Sequence, residues 1–202
     1  MLRIYTIVLL WSSALLAADS PERQVADWVI RQGGSVKLVD RTDPIAKLSD
    51  LPTGEVHIRG INLVGTLIEP TELKRFRNLA NLRELELPGP IWNPGAGSKL
   101  DANEEFESLA GLTGLEKLTF SLHFLTNINV QDKGLAHLAK LTNLRELRLA
   151  QTKIQGSSLA PFVNLRDLDL SYTPFDDRGM ASLEGMTQLS KLYLREIGRA
   201  HV

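Results

Sequence analysis

One hydrophobic frame, Leu-x-x-Leu-x-Leu, recurs along this chain of 202 residues. Five copies occupy residues 82–87, 115–120, 144–149, 165–170 and 189–194, and a weaker copy that contains isoleucine occupies residues 58–63. The central positions of successive copies are 24, 33, 29, 21 and 24 residues apart. Self-similarity with a period of about 20 to 29 residues is typical of a solenoid, in which each repeat forms one turn of a coil.

These residues resemble the leucine-rich repeat family, and the resemblance covers about residues 55–195. The most regular stretch, residues 134–154, is close to the family's consensus. The chain is similar to the bacterial exported subtype that places threonine after the strand, at positions 66, 152 and 173. The resemblance implies an α/β solenoid with a curved parallel β-sheet on its concave side and short helices or 3₁₀ turns on its convex side.

Strand alternation predicts which side chains line the inner, concave surface. In the copy at 144–149, Leu147 and Leu149 point into the core, whereas Glu146, Arg148 and Ala150 point outward. Aligning the copies gives three columns of inner-face residues. They are Glu84, Lys117, Glu146, Asp167 and Lys191 in the first; Glu86, Thr119, Arg148, Asp169 and Tyr193 in the second; Pro88, Ser121, Ala150, Ser171 and Arg195 in the third.

Opposite charges are expected to pair across these columns, because neighbouring strands lie about 4.8 Å apart. The expected ion pairs are Glu84–Lys117, Arg148–Asp169 and Asp167–Lys191. The columns fit either a solvated face that keeps the sheet soluble or a polar binding face of the kind other repeat proteins use. Tyr193 beside Arg195 is the best candidate for an interface anchor, since aromatic residues and arginine are enriched at hot spots.

The segments between the strands have apolar residues three apart, at 73–79, 106–112, 135–141 and 180–186. This spacing predicts short helices that close each turn of the coil from outside. The repeat of 21 residues keeps only Leu159 and Phe162, with Pro161 between them. Its outer segment is therefore expected to be an extended or 3₁₀ turn.

Two insertions interrupt the period. Residues 88–98 lengthen one step by nine residues and are rich in turn formers. Trp92 in this insertion is either an exposed binding contact or a residue that folds back onto the solenoid with Ile91. The second insertion, residues 124–130, adds five residues, and its apolar content indicates packing.

The first 18 residues have the order of a secretory signal: a basic residue, an apolar run and small residues before a polar pair. We predict export to the periplasm, the cell surface or the medium, with an uncleaved membrane anchor as the alternative. Residues 19–54 are expected to form an N-terminal cap. Ser20 and Pro21 begin a helix, Gly33 and Gly34 end it, and a short strand follows at 35–39.

Catalytic signatures are absent from the sequence. The four histidines stand far apart in the repeat register, and no nucleophile elbow or phosphate-binding loop occurs. Cysteine is absent, which excludes disulfides and a thiolate zinc site. Arg148 and Lys191 beside Asp167 and Asp169 favour charge pairing over a cation site. We therefore expect no enzyme activity, no cofactor and no metal, and a net charge of −1 gives no basic footprint for nucleic acid.

The last six residues, 197–202, leave the repeat pattern abruptly. They match the translation of a common sequencing-library adapter, which predicts a non-native tail and a natural chain that continues into further repeats. A genuine short tail is the alternative.

These patterns predict an exported, non-enzymatic scaffold that binds a protein partner. The alternatives are the recognition part of a larger truncated enzyme or receptor, and a structural or adhesive cell-surface protein. A membrane contact is expected only if the N-terminal segment stays uncleaved.

Overall fold

Seven short strands form a single sheet in which each strand lies beside the next one in sequence. The computed structural model describes residues 20–92, 101–120 and 128–197. Strands β2 to β7 are all parallel. The strands are β1 (Ser35–Leu38), β2 (Ile58–Asn62), β3 (Glu84–Leu87), β4 (Lys117–Phe120), β5 (Glu146–Arg148), β6 (Asp167–Asp169) and β7 (Lys191–Tyr193).

The register of the sheet confirms the first two predicted columns. Glu84 pairs with Lys117, which pairs with Glu146, and the series continues through Asp167 to Lys191. The leucine at the centre of each repeat is buried in the same register, at positions 85, 118, 147 and 168. A slip of one residue would move every leucine to the solvent face, so the hydrophobic frame alone fixes the pairing. On β7, the last strand of the sheet, all three side chains are exposed.

Helix α1 (Pro21–Arg31) packs against β1 and β2 at the first edge of the sheet. The Arg23 backbone N–H donates to the Ser20 hydroxyl, as expected for an N-cap, and Val25, Val29 and Ile30 are buried. Strand β1 runs antiparallel to β2, unlike the rest of the sheet. A Cβ at Gly34 would lie 2.6 Å from the Asn62 carbonyl, so glycine lets this turn approach β2.

The outer segments are shorter and tighter than the predicted helices. The segments Pro70–Phe76 and Glu104–Leu109 are 3₁₀ helices, while α2 (Asp132–Ala136) and α3 (Asp177–Met180) are α-helical. Apolar residues three apart match the three residues per turn of a 3₁₀ helix, which explains the difference. The 3₁₀ segment Ala181–Leu183 continues α3, and two more lie at Leu48–Asp50 and Pro90–Trp92. Residues 159–162 form turns without a helix, as predicted.

Buried threonines close the turn that follows three of the strands. The hydroxyls of Thr66, Thr152 and Thr173 donate to the carbonyls of Leu63, Leu149 and Leu170 at 2.8, 2.6 and 2.7 Å. The residue before each threonine has a positive φ, which is 81° at Gly65, 60° at Gln151 and 59° at Tyr172. The hydroxyl therefore satisfies a carbonyl that is buried where the chain leaves the sheet.

Trp92 belongs to the core. It is fully buried, and its ring lies 4.4 Å from Phe106 and 5.5 Å from Phe120, measured between centroids. The prediction of an exposed contact at Trp92 is wrong, and the folded-back alternative with Ile91 is confirmed. Packing Trp92 against these two phenylalanine rings buries apolar area that an exposed tryptophan would leave in water.

Residues 93–100, which include the rest of the first insertion, and residues 121–127, which include the start of the second, lie outside the described residues. Ile128 and Val130, at the end of the second insertion, are fully buried, so this part of the insertion packs as expected.

Replacing Leu147 with aspartate should unfold the repeats around β5, because the charge would be buried without a partner at a cost of several kcal/mol. Leu67→Asp is the matched control, since Leu67 is 86% exposed. Circular dichroism melting should show a large loss for Leu147→Asp and little change for the control. Equal melting of Leu147→Asp and the parent would mean that Leu147 is not a core residue.

Removing the Thr152 hydroxyl with Thr152→Val should cost about 0.5–1.5 kcal/mol of unfolding free energy, because the buried Leu149 carbonyl loses one of its two donors and keeps the Thr152 backbone N–H. Thr187→Val provides the control at an exposed position. Urea unfolding measures both variants. If the two substitutions cost the same, the buried hydrogen bond contributes nothing measurable.

Candidate functional site

The inner face of the sheet carries a continuous series of ion pairs, here called the ion-pair ladder. The charges alternate in sign from β3 to β7. Each charge between the two ends of the series therefore lies between two opposite charges. The distances between successive partners are 3.0, 3.7, 2.7, 3.8 and 3.7 Å. Its members in order are Glu86, Lys117, Glu146, Arg148, Asp167 and Lys191.

One of the three predicted ion pairs is confirmed, between Asp167 and Lys191 at 3.7 Å. The Glu84–Lys117 pair is wrong, because Glu84 pairs with Lys37 on β1 and with Arg59 on β2, at 2.6 and 3.6 Å. Lys117 therefore turns to Glu86, which belongs to the second column.

The Arg148–Asp169 pair is also wrong. Arg148 reaches Glu146 and Asp167 in the first column, while Asp169 accepts a hydrogen bond from the Ser171 backbone N–H at 2.9 Å. Long side chains span diagonally between columns, which straight alignment of the repeats does not anticipate.

Mutual stabilisation within the ladder shifts the pKa of three members. Burial disfavours the Lys117 ammonium, but its hydrogen bond to Glu86 and the charges of Glu86, Glu146 and Glu84 raise the Lys117 pKa. Burial likewise opposes the Glu146 carboxylate, yet Arg148 and Lys117 lower the Glu146 pKa. The hydrogen bond to Glu146 raises the Arg148 pKa. All three groups are held in their charged forms.

No protein-family model matches the sequence, and no curated protein matches it significantly. Solved structures do match. Internalin C2 from Listeria monocytogenes is 21% identical with a TM-score of 0.51, and the match covers 74% of this chain and 70% of that one. An internalin (inlF) from the same organism is 20% identical over 74% and 60% of the two chains, with a TM-score of 0.42.

The ectodomain of the receptor kinase SOBIR1 from Arabidopsis thaliana, a leucine-rich repeat structure, is 15% identical over 93% of each chain, with a TM-score of 0.42. The match to internalin C2 agrees with the seven-stranded sheet and the repeat register described above. This chain has the leucine-rich repeat fold. The ion-pair ladder therefore lies on the concave sheet surface of a leucine-rich repeat solenoid.

Beyond the ladder, the concave face of this leucine-rich repeat chain carries an aromatic and arginine cluster of three residues, Tyr172, Tyr193 and Arg195. Tyr193 is 45% exposed, and the Arg195 guanidinium carbon lies 5.6 Å from the centre of the Tyr172 ring. The Tyr172 backbone N–H donates to the Arg195 carbonyl at 2.8 Å. We call these residues the tyrosine–arginine cluster.

Sequence reasoning missed Tyr172, because strand alternation stops at the end of β6. The signal that identifies Tyr172 is its position directly before Thr173, one of the threonines that recur after the strands, where Tyr172 takes a positive φ of 59°. The same turn explains a second error. Ala150 and Ser171 are 6% and 9% exposed, so these third-column residues are buried and do not line the inner surface.

The remaining second-column residue, Thr119, is half-buried on the concave face. Its hydroxyl oxygen has no hydrogen-bond partner among the described residues. Pro88 of the third column is buried, and Ser121 lies outside the described residues.

Polar groups elsewhere have structural partners. The Asp132 carboxylate accepts from the backbone N–H groups of Gln155, Gly156 and Ser158, and thereby fastens one repeat to the next. His57 lies 3.8 Å from Glu22 and 3.9 Å from Glu55, and His137 lies 3.5 Å from Glu104. In the described part of the chain, no group of three or more His, Asp or Glu residues is placed to hold a metal ion.

The helices of residues 20–92, 101–120 and 128–197 include none with the length and apolar character required to cross a membrane. The candidate signal segment, residues 1–18, lies outside this part of the chain.

The ladder should make stability depend on pH in the acid range. The Glu146 pKa is lower in the folded state than its ordinary value, so its stabilisation is complete above the unfolded pKa and is lost as pH falls through the folded pKa. Exposed pairs of this kind contribute about 0–1 kcal/mol. Urea unfolding from pH 7 to about pH 3 should show that Glu146→Gln costs stability at pH 7 and nothing at the acid end.

Glu184→Gln is the control for this measurement, since Glu184 is exposed on the outer segment. A constant difference between the parent and Glu146→Gln over the whole range would contradict an electrostatic role for Glu146.

Proposed function

We propose that this chain is a non-enzymatic scaffold that binds a protein partner on its concave face, with the tyrosine–arginine cluster as the anchor. The observation that carries the proposal is the exposure of Tyr193 next to Arg195 on a rigid sheet. Aromatic and arginine side chains supply most of the binding free energy in many interfaces. The parallel strands hold their backbone in place, so little conformational entropy is lost on binding there.

The ion-pair ladder has a different role in this proposal. Its charges already have partners, so a ligand that replaced those partners would regain little of the desolvation cost. The ladder therefore forms a polar, nearly neutral surface beside the anchor. Such a surface disfavours partners of strong net charge and leaves apolar and aromatic contacts to decide affinity.

Export is part of the proposal, and the apolar segment at residues 4–16 after Arg3 supports it. We also propose the division into a signal at 1–18, a helix–strand cap at 19–54, repeats at 55–196 and an adapter-like tail at 197–202. The packing of α1 and β1 on β2 supports the cap, since it covers the first strand of the parallel sheet.

A random peptide library displayed on phage, selected against the immobilised full chain, tests the binding face. Synthetic copies of enriched peptides should bind about tenfold more weakly to Tyr193→Ala and to Arg195→Ala, a loss of about 1.4 kcal/mol. Isothermal titration calorimetry measures the affinities. Arg178→Ala is the matched control, because Arg178 is exposed on α3 at the outer side.

If the enriched peptides bind Tyr193→Ala and Arg195→Ala as tightly as the parent, the tyrosine–arginine cluster is not the anchor. Melting curves of the three variants should coincide with that of the parent, which separates lost contacts from lost folding.

A further inference from the structure

A second charged surface lies at the amino-terminal ends of the strands. This side of the sheet, where the chain enters each strand, is here called the strand-entry edge. One residue per repeat occupies this edge, and each is linked to the next by a backbone hydrogen bond from N–H to carbonyl. The distances from Arg59 to Ser190 are 2.7, 2.8, 2.8, 2.8 and 2.9 Å. We call this set the strand-entry column, and its members are Arg59, Arg83, Glu116, Arg145, Arg166 and Ser190.

Four of these six residues are arginine, and Glu116 is the single acidic member. Arg145 and Arg166 are exposed neighbours, and neither side chain has an ion pair or hydrogen bond with any described residue. Adjacent strands place them about 4.8 Å apart along the column. This is the spacing of the two backbones, and the like charges that they carry on neighbouring strands repel one another, so an added negative charge stabilises the column.

The contrast with the ion-pair ladder is direct. On the concave face Arg148, three residues after Arg145, is neutralised by Glu146 and Asp167. The chain has a net charge of −1, so its positive potential at this edge is local and does not reflect a basic protein. An anionic partner is therefore attracted to the strand-entry column and not to the whole surface.

A cleft opens at the same edge between the turns that lead into β3 and β4. Its volume is about 220 Å³, and Gly111 and Gly114 are among the residues that line it. Arg77 lines this cleft and donates to the Ser108 hydroxyl at 3.2 Å. Arg83 donates to the carbonyl of Ala80, another residue that lines the cleft, at 3.0 Å. Arg77 therefore lies in the cleft, and Arg83 is hydrogen-bonded to one of its lining residues.

We infer that the strand-entry column and this cleft bind an acidic peptide segment of a protein partner, lying along the edge with its carboxylates on Arg83, Arg145 and Arg166. The inference rests on the proposed function, in which the partner is a protein. It adds a second binding surface and the acidic character of the partner segment that binds there. Guanidinium groups bind carboxylates through paired, charge-assisted hydrogen bonds.

The geometry favours a peptide over a single small anion. Arg145 and Arg166 form a basic pair, and Arg83 lies on the far side of Glu116, while Arg59 is already paired with Glu84 at 3.6 Å. Two strand spacings, about 9.6 Å, separate Arg83 from Arg145. An extended chain with carboxylates on successive residues spans this distance, whereas one phosphate group does not.

Fluorescence anisotropy with fluorescein-labelled deca-glutamate as the probe tests the inference on the full chain. The parent should bind the peptide, and Arg145→Ala/Arg166→Ala should bind it about tenfold more weakly. Glu116→Gln should bind it about twofold more tightly, because it removes the acidic member of the column. The matched control is Lys153→Ala/Arg178→Ala, which changes the net charge equally at two exposed positions away from this edge.

Equal weakening by the two double variants, or no weakening by Arg145→Ala/Arg166→Ala, overturns the inference. So does displacement of the peptide by an equal concentration of inorganic phosphate, which would indicate a simple anion site. Arginine-dependent cosedimentation with vesicles of three parts phosphatidylcholine to one part phosphatidylserine, in the absence of peptide binding, would assign the surface to a membrane instead. Sedimentation that shows arginine-dependent dimers without peptide binding would assign it to a second copy of the chain.

Melting of the alanine variants should match the parent, since the substituted side chains are exposed and make no ion pair or hydrogen bond with the described residues, and the backbone hydrogen bonds remain. The phage-selected peptides separate this inference from the proposed function. If they depend on Tyr193 while deca-glutamate does not respond to Arg145 and Arg166, only the strand-entry inference fails.

Discussion

Stacking of one buried leucine on the next is the constraint on which the rest of this molecule depends. Leu85, Leu118, Leu147 and Leu168 are each fully buried in one parallel register, so a repeat is stable only against its neighbours. This register places the polar residues of every strand on the concave face. It also places one residue per repeat at the strand-entry edge, so both candidate surfaces are consequences of the core.

Periodicity makes the core and the first two columns predictable from sequence, because a parallel register between like repeats leaves one residue of each kind per turn. The partners of the charges were not predictable in the same way. Glu84 pairs with Lys37 and Arg59, residues on strands that the leucine frame marks weakly or not at all. Trp92 was open to two interpretations, since its burial depends on Phe106 and Phe120, which belong to the next repeat.

Repeat alignment does not predict the antiparallel direction of β1 or the position of Tyr172 beside Arg195, for a related reason. Both depend on turns, where the two-residue alternation of a strand no longer applies. Gly34 allows the first turn to approach Asn62, and the positive φ of Tyr172 directs its ring toward the Arg195 side chain. Local backbone conformation at single residues therefore determines what the candidate anchor contains.

The two surfaces differ in whether their charges are paired. Alternating charges on the concave face neutralise one another at distances of 2.7 to 3.8 Å, which holds Lys117, Glu146 and Arg148 in their charged forms and leaves little field outside. At the strand-entry edge, one position before the first column, Arg145 and Arg166 stand side by side without an ion pair to any described residue. A partner that uses both would meet the unpaired arginines first, since long-range attraction acts before contact. Apolar contacts with Tyr193 would then determine how long it stays.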